Sequence, residues 1–404
     1  MERLGLTDLR WRLPISVREA LFLFILLRLC LSLYAAAATF MFQVPPPCFH
    51  NGVVDWTSMP TLYADGADGR LLGVWQRWDA CWYLRIAQYG YEPGEPGTAF
   101  FPLYPALIRL LGTVLFGNLT LAALVVSGVG YVAAMSILHS MVSTDLDAET
   151  AERSILYLSV FPTAFFLFAP FTESIFLALA LGAIYAMRTG RYRLAVIAAL
   201  LAGLTRPQGV LLALPLAWEA LQLVRLHRLG EGHRVATATA FAAAAAPVAG
   251  FVTFVAYSEL ATGLSTFEAD RQHWGYANAA PWDVLANAWR WMLDPANAAF
   301  ANIQAMTALH FALIAMFVGL FIVGLRVVPL TYTLYVAPQL LVITAGGPTT
   351  PLQSASRFML AMFPIFVVMG RLGRNPKVHT GWMVVSVLGL GLLFTAILLN
   401  VPVG

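Results

Sequence analysis

The stretch W-Q-R-W-D-A-C-W-Y-L-R-I-A-Q-Y-G-Y, residues 75–91, combines tryptophans at helical spacing with a single carboxylate and two arginines. In one continuous helix Trp78 and Trp82 would share a face, and Trp75 would extend the same stripe. An aromatic stripe with polar flanks is typical of a helix that lies in the membrane interface. We therefore predict an interfacial helix that holds Asp79 at a membrane surface, where the carboxylate either works on a substrate or only anchors the helix.

The composition of the whole chain indicates a membrane protein. Of the 404 residues, 59% are hydrophobic and only 11% are charged, and the mean hydropathy is +0.73. Soluble domains carry roughly a quarter charged residues, so a chain of this length could not bury so much apolar surface in a water-soluble core. The net charge of +3 is spread over many loops without a basic cluster, which argues against a nucleic-acid partner.

Apolar windows recur along the chain at lengths near those of membrane spans, which take about 17–25 residues in a helix. Several windows are short, as expected of tilted or broken helices around a cavity. The predicted fold is all-α, a polytopic membrane protein of about 11 transmembrane helices that forms a single domain over residues 1–404. The windows are 19–42, 119–141, 154–170, 171–187, 192–205, 208–224, 235–258, 299–325, 327–345, 355–370 and 379–400.

Groups of arginines give the expected orientation. They precede the first window and recur in short loops within 188–193, 225–234 and 371–377. The positive-inside rule places all of these groups in the cytoplasm. Residues 43–118 then form a first external loop with interfacial helices, and residues 259–298 form a second external loop.

Residues 99–118 are a marginal apolar segment that this orientation excludes as a span. If the segment crossed the bilayer, the arginines of 188–193 would lie outside. It also contains Pro102, Pro105 and Arg109. We therefore predict an interfacial or re-entrant helix that belongs to the first external loop.

The chain has three cysteines and no CxxC motif or Cys/His cluster that would indicate a metal site. Cys30 lies in the first apolar window. Cys48 and Cys81 both fall in the first external loop, where a disulfide can form. Two unpaired thiols are an equal alternative.

Polar residues at the outer ends of the apolar windows are candidates for one extracytoplasmic site. Glu173 lies at the junction of two windows, Arg206 and Gln208 lie in the turn T-R-P-Q-G, and Arg357 opens a helical end. Ionisable residues near the membrane are functional hypotheses by default, and two arginines suit a phosphate. The alternative is that each arginine extends to the interface or pairs with an acid such as Glu173.

The second external loop carries His273 among acidic residues and tryptophans, including Asp270 and Trp282. Aromatic faces beside polar groups suit sugar binding, but another interfacial helix explains the same residues and is the preferred interpretation. His310, in an apolar window, is interpreted as a buried, satisfied histidine.

The sequence Asp145-Leu146-Asp147 matches the D-x-D pattern that holds a metal and a nucleotide sugar in soluble glycosyltransferases. It lies in a short cytoplasmic loop, and no alternation of strands and helices surrounds it. We therefore assign no nucleotide-sugar site there.

The segments that carry these residues resemble one known family, in the same order. R-W-D-A-C-W-Y-L-R-I-A-Q-Y-G-Y at 77–91 and A-F-F-P-L-Y-P-A-L-I-R at 99–109 closely resemble the signature of the PIG-V family. That family comprises the second mannosyltransferase of glycosylphosphatidylinositol assembly and its prokaryotic relatives. Residues 161–176, 205–209 and 356–366 are similar to further blocks of the family. The compact chain, with few lysines and modest external loops, favours a bacterial relative.

This resemblance implies a GT-C glycosyltransferase, a polytopic enzyme that uses a polyprenyl-phosphate sugar on the lumenal or periplasmic face. It implies that Asp79 takes a proton from the acceptor, as a general base does. Arg206 and Arg357 would stabilise the leaving lipid phosphate, and Glu173 would orient an arginine or bind sugar hydroxyls. The further residues expected to bind substrate are Trp78, Trp82, Tyr83, Gln208 and His273.

The expected reaction is an inverting, metal-independent transfer of mannose from polyprenyl-phosphate-mannose to a membrane lipid or lipid-linked glycan, without a cofactor. The alternatives are a glycolipid transporter or flippase, a GT-C enzyme for another sugar, and a non-catalytic membrane scaffold. Polar groups clustered on one face favour the enzyme over a transport path. The expected location is the plasma (inner) membrane of a bacterium, with the site facing outside, or the endoplasmic reticulum membrane of a eukaryote.

Overall fold

A computed structural model describes residues 13–48, 66–228, 234–275, 279–345, 352, 354–401 and 403. Over these residues the secondary structure is helical, with no β-strand, which confirms the all-α class. The α-helices in the described ranges are α1 Ile15–Met41, α2 Gly66–Leu71, α3 Asp79–Tyr89, α4 Leu103–Val114, α5 Leu119–Asp145, α6 Ala148–Ser159, α7 Glu173–Arg188, α8 Tyr192–Gly203, α9 Ala213–Arg228, α10 Arg234–Thr262, α11 Thr266–Trp274, α12 Pro281–Leu293, α13 Ala301–Gly324, α14 Leu330–Thr344, α15 Ala355–Phe358, α16 Phe363–Leu372 and α17 Pro376–Leu398.

Within the described residues, six helical segments are long and apolar enough to cross a membrane, or seven if one bent pair forms a single span. They are α1, α5, the segment Pro207–Arg225 that includes most of α9, and α10, α13 and α17. The chain is therefore a multi-pass integral membrane protein. Helical segments lie at all of the predicted apolar windows, but the expected count of about 11 spans is not confirmed.

The remaining windows give helices that are too short to cross alone. α8 has 12 residues and α14 has 15, or about 18 and 22 Å, against a hydrocarbon core of about 30 Å. The window 154–170 divides into α6 and the 3-10 segment Ala164–Leu167. The turns between these short apolar helices place polar residues inside the protein.

One window is sharply bent. The helical segments Ala355–Ala361 and Phe363–Leu372 meet at 79°, where Pro364 occupies the first turn of α16. Proline has no N–H to donate to a preceding turn, so a helix readily starts anew at this point. The bend separates the short arm that carries Arg357 from the rest of the window.

The helix pair α8 and α10 packs with its backbones in close contact. A methyl group added at Gly203 would lie 2.1 Å from the carbonyl oxygen of Pro247, and one at Gly250 would lie 2.4 Å from that of Leu200. Small residues permit such close approach between membrane helices. The turn that follows α8 is also joined to α4, because the Leu103 N–H donates to the Leu204 carbonyl at 3.1 Å.

The stretch 75–91 is not one helix, which corrects the first prediction. Trp75 ends a 3-10 segment that starts at Gly73, and α3 begins only at Asp79. The chain turns at Trp78, where φ is +50°. Most of α3 is also buried within the protein rather than laid open to an interface.

Residues 99–118 contain α4, a helix of 12 residues. At about 18 Å it is too short to cross a bilayer core of about 30 Å. Tyr104, Pro105 and Ile108 are buried against the protein, whereas Leu110 and Val114 are exposed. The exclusion of this segment as a membrane span agrees with the structure.

Candidate active site

Four charged side chains from distant parts of the chain meet in one network. Arg206 Nη1 donates to Glu173 Oε1 at 2.9 Å. Arg357 donates through Nε to the same Glu173 oxygen and through Nη1 to Asp79 Oδ2. The two arginine side chains are 6% exposed and that of Glu173 is 2% exposed, but that of Asp79 is 29% exposed. Asp79 is thus the most exposed member of the network.

Each member of the network lies where a helix starts or breaks. Asp79 and Glu173 occupy the first turns of α3 and α7, where the positive end of the helix dipole favours a carboxylate. Arg206 immediately precedes the 3-10 segment Pro207–Leu212. Arg357 lies on the short arm α15 before the bend. The breaks that shorten the apolar windows therefore bring the charges together.

Aromatic rings enclose both guanidinium groups. The Arg357 guanidinium lies 4.6 Å from the centroid of the Phe171 ring, and the Arg206 guanidinium lies 5.1 Å from that of Phe358. A cation held over a desolvated ring face gains electrostatic energy. Both arginines are therefore fixed in position by ring contacts as well as by the carboxylates.

This geometry is compatible with both interpretations of Arg206 and Arg357, as phosphate ligands and as partners of an acid. Each pairs with Glu173, as the structural alternative expected, and Arg357 also reaches Asp79. The pair of Arg357 and Asp79 could not be predicted from sequence, because the two residues are 278 positions apart and only tertiary packing joins them.

One residue of the network and one residue of the turn that carries Arg206 have unused hydrogen-bonding atoms. Within the described residues, Glu173 Oε2 and Gln208 Oε1 are buried without a hydrogen-bond partner. Gln208 follows Arg206 by two residues, in the 3-10 segment Pro207–Leu212. Buried polar atoms normally find partners, so these two acceptors are suited to hydroxyl groups of a ligand.

The aromatic residues expected to bind substrate have different surroundings. Tyr83 is buried on α3, and its hydroxyl lies 3.5 Å from Thr172 Oγ1, next to Glu173. Burial raises the pKa of the Tyr83 hydroxyl to about 12, so it stays protonated at neutral pH. Trp82 is also buried and stacks on Phe100 with ring centroids 5.6 Å apart.

Trp78 and His273 complete the predicted set. Trp78 directly precedes Asp79 and is half-buried. His273 belongs to α11, but its side chain lies outside the described part of the structure.

Asp270 is a neighbour of Asp79 that sequence reasoning did not select. It lies on α11, a helix that packs against the 3-10 segment Pro96–Ala99. Thr266 and Ala269 of the same helix are buried, and spacing of three and four residues puts Asp270 on their side. Burial, and to a lesser degree the charge of Asp79, raises the pKa of Asp270 to about 7.

A disulfide joins Cys48 to Cys81, with Cα atoms 5.7 Å apart. Of the two alternatives stated above, a disulfide or two unpaired thiols, the structure contains the disulfide. Cys30, on α1, is an exposed free cysteine. The disulfide lies two residues from Asp79, so it belongs to the surroundings of the site.

The D-x-D sequence has a structural role. Asp145 makes two hydrogen bonds with Arg188, at 2.6 and 2.5 Å, and accepts another from the Tyr332 hydroxyl. Asp147 caps α6 and pairs with Arg374. Both carboxylates are thus occupied, as expected of residues outside the site.

His310 is buried, with Nε2 3.0 Å from Ser356 Oγ. Ser356 directly precedes Arg357, so this histidine supports the short arm of the network. Among the described residues, no three His, Cys, Asp or Glu side chains are grouped as a metal site would require.

Comparison with known proteins adds a family and a distant structural likeness. The family model described as mannosyltransferase (PIG-V) matches residues 12–229, more than half of the chain. Among solved structures, the chain is similar to the Archaeoglobus fulgidus oligosaccharyltransferase, in a complex with Zn and sulfate, with a TM-score of 0.41 and 12% identity. That likeness covers 93% of this chain and 53% of the other, so the chain spans about half the length of that enzyme. No curated protein matches significantly.

The residues matched by the family model include three members of the network, Asp79, Glu173 and Arg206. Arg357 lies C-terminal to the match. The fourth member is therefore identified by the structure through its contacts with Asp79 and Glu173.

Proposed function

The chain belongs to the PIG-V mannosyltransferase family, and we propose that it transfers mannose from polyprenyl-phosphate-mannose to a hydroxyl of a lipid-linked acceptor. One observation carries the proposal: an open carboxylate, Asp79, is joined through Arg357 to a buried carboxylate and a second arginine. Transfer from a phosphate donor requires a base for the incoming hydroxyl and cations for the departing phosphate. The network supplies both.

The proposed site faces the extracytoplasmic side of the membrane. The Cys48–Cys81 disulfide supports this orientation, because disulfides form in oxidising compartments. Cys48 and Cys81 pack with Leu119 at the start of α5, whereas Arg188 binds Asp145 at its other end. The 27 residues of α5 separate these ends by about 40 Å. The proposed membrane is the plasma (inner) membrane of a bacterium.

Asp79 is proposed as the general base. Its carboxylate would take the proton of the acceptor hydroxyl as the hydroxyl oxygen attacks the anomeric carbon of the donor. The bond from that carbon to the phosphate oxygen breaks as the new bond forms on the opposite face, which inverts the configuration. The bonding electrons leave with the lipid phosphate.

Arg357 and Arg206 are proposed to hold the donor phosphate. A guanidinium has five N–H donors, and in the network Arg357 uses two nitrogens and Arg206 uses one. The remaining donors are available to phosphate oxygens, whose charge grows as the bond breaks. A bound phosphate would also compete with Asp79 for Arg357, which would release the carboxylate to accept a proton.

The unused acceptors Glu173 Oε2 and Gln208 Oε1 are proposed to take hydrogen bonds from the mannose hydroxyls. The Tyr83 hydroxyl, which stays protonated at neutral pH, would donate to the same ligand. Trp78, Trp82 and His273 remain proposed contacts for the acceptor or the sugar face.

The function is tested by incubating purified protein in lipid nanodiscs with radiolabelled polyprenyl-phosphate-mannose and a membrane lipid extract. We expect label to move into a new lipid-soluble product. A flippase or a scaffold would leave all label in the donor. Faster transfer from a polyprenyl-phosphate carrying another sugar would reassign the donor.

Arg206→Gln is expected to weaken use of the donor while the protein remains folded. Glu173 would keep Arg357 as its partner, but the phosphate would lose a charged hydrogen bond. Such bonds contribute about 1.5–3 kcal/mol, so kcat/KM for the donor should fall roughly 10- to 150-fold. The measurement is a donor titration at fixed acceptor. An unchanged donor kcat/KM would remove Arg206 from the phosphate site, and an unchanged acceptor KM is the internal control.

The wild-type protein is expected to lose activity at alkaline pH, and Asp270→Asn is expected to prevent that loss. The pKa of Asp270 is about 7, so the wild-type carboxyl ionises as the pH rises through neutrality and places a second negative charge near Asp79. That charge would repel the anionic donor, so wild-type transfer should decline above about pH 7. The variant should hold its rate. Rates measured between pH 5 and 9 check this, and identical profiles would contradict it.

Asp270→Asn should also change how the stability of the protein depends on pH. A folded-state pKa above the usual value means that the folded protein binds the Asp270 proton more tightly than the unfolded chain. The resulting stabilisation is full below the usual pKa of an aspartate and is lost as the pH rises through about 7. The wild-type melting temperature should therefore fall over this interval relative to Asp270→Asn.

A further inference from the structure

The peptide that leads into Asp79 has an unusual backbone conformation. Trp78 has φ of +50° and ψ of −125°, a combination that glycine adopts readily and that costs free energy in a residue with a Cβ. Asp79 follows directly as the first residue of α3. Backbone strain of this kind persists only where the surrounding structure imposes it.

Residues on both sides of Trp78 are bound to one short segment, 45–48. On the C-terminal side, Cys81 is linked to Cys48 by the disulfide. On the N-terminal side, the carbonyl oxygen of Gln76 accepts a hydrogen bond from the Cys48 N–H at 3.0 Å. The strained residue and Asp79 thus lie between two attachments to the same segment.

Arg77 provides a third attachment. Its Nη1 donates to the Pro46 carbonyl at 2.7 Å and its Nη2 to the Pro45 carbonyl at 2.9 Å. The side chain is buried, and no ion pair joins it to a carboxylate in the described ranges. Burial lowers the pKa of Arg77 to about 10, which leaves it protonated at neutral pH. A buried cation held by carbonyls is costly, and here it fixes the residue before Trp78.

The assembly is also joined to the membrane helices. The buried Gln76 side chain donates through Nε2 to Thr120 Oγ1 at 2.7 Å, and Thr120 lies in the first turn of α5. The position of Asp79 is thereby set relative to the helix frame that carries the rest of the site.

We propose that the Cys48–Cys81 disulfide and Arg77 are a positioning device that holds the strained Trp78 peptide and so presents Asp79 to Arg357, which makes transfer dependent on the oxidised cystine. The inference rests on the proposed role of Asp79 as the base. A small dithiol would reverse it: two thiols give two electrons and two protons to the S–S bond, yielding two cysteine thiols and a cyclic disulfide. Trp78 could then relax to negative φ and carry Asp79 away from Arg357.

The activity test uses a Cys30→Ser background. The only cysteines left are then Cys48 and Cys81, so the reductant acts on their disulfide. We compare this protein with Cys30→Ser/Cys48→Ser/Cys81→Ser and measure kcat and donor KM at equal folded fraction. A displacement of about 1 Å in a catalytic group can cost 10²-fold, so we expect kcat to fall roughly 10- to 100-fold, with a smaller change in donor KM. Reduction of the Cys30→Ser protein should give the same loss, and reoxidation should restore the rate.

A second comparison separates positioning from general stabilisation. Glycine at position 78 adopts positive φ without strain, so a Trp78→Gly background should need the disulfide less. We expect the ratio of kcat with and without the cystine to approach one in that background, whatever Trp78→Gly does to the absolute rate. An undiminished ratio would mean that the disulfide acts through overall stability and would overturn the proposal.

A measurement without turnover completes the test. Asp79 in its pair with Arg357 should react slowly with a water-soluble carbodiimide, and loss of the disulfide should increase its labelling, read by mass spectrometry. Equal labelling of Asp79 with and without the disulfide would be sufficient to overturn the proposed positioning device. Absence of transfer in the wild-type protein would instead refute the proposed function, so the two failures are distinguishable.

Discussion

Asp79→Asn is expected to abolish mannosyl transfer while the protein stays folded in the membrane. Asparagine matches aspartate in size and keeps a carbonyl oxygen for Arg357, but it cannot take a proton from the acceptor. General-base catalysis contributes typically 10²–10⁴-fold, so the initial rate should fall on the order of 10³-fold. The rate is measured with radiolabelled donor, alongside thermal unfolding in the same nanodiscs.

The matched control is Asp147→Asn. Asp147 also pairs with an arginine, Arg374, and caps α6. Asparagine is an equally good helix cap, so this carboxylate-to-amide change should leave transfer and folding intact. Turnover near the wild-type rate in Asp79→Asn would exclude Asp79 as the base, whatever the control shows.

Arg357→Lys is the second substitution with a large expected effect, because it alters both the network and the proposed phosphate site. A lysine ammonium cannot reproduce the two directed bonds to Asp79 and Glu173. Removal of one preorganised donor to a developing negative charge costs about 10²–10³-fold in rate. We expect a loss on the order of 10²-fold in kcat, with a higher donor KM.

The same variant should be less stable, since one lysine ammonium cannot keep both directed hydrogen bonds to Asp79 and Glu173, and a hydrogen bond to a charged group contributes about 1.5–3 kcal/mol. Arg188→Lys serves as the comparison, because it weakens the bidentate pair with Asp145 at the far end of α5. It should reduce stability without raising the donor KM. If Arg357→Lys lost stability but kept wild-type kcat and KM, its role would be structural alone.

Sequence patterns predicted the helical architecture but not the full extent of each helix. Apolar segments long enough to form membrane helices can be found in the local sequence, and helices lie at each predicted window. How far each helix continues depends on its neighbours. The stretch 75–91 shows this: its spacing suits one helix, yet Arg77 bonds to Pro45 and Pro46 and the chain turns at Trp78. Tertiary hydrogen bonds outweigh a local preference there.

The candidate site was predicted as a set of residues rather than as an arrangement. Glu173, Arg206 and Arg357 were selected because charge near a membrane is costly and needs a reason, and Asp79 because it is the single carboxylate of the aromatic stretch 75–91. Their pairing was not predictable, since Arg206 and Glu173 are 33 residues apart and Arg357 is 278 residues from Asp79. Asp270 was passed over for the same reason, because its proximity to Asp79 arises only when α11 packs on Pro96–Ala99.

The network of two arginines and two carboxylates is electrically neutral as a set. An uncompensated charge buried at membrane depth would oppose insertion of the helices that carry it, whereas a balanced group can enter and fold before any ligand arrives. The substrate is then not required as a counter-ion. In the proposed reaction, the donor phosphate would bind by exchanging partners within an already neutral cluster, so its recognition would depend on the geometry of that exchange more than on attraction between opposite charges.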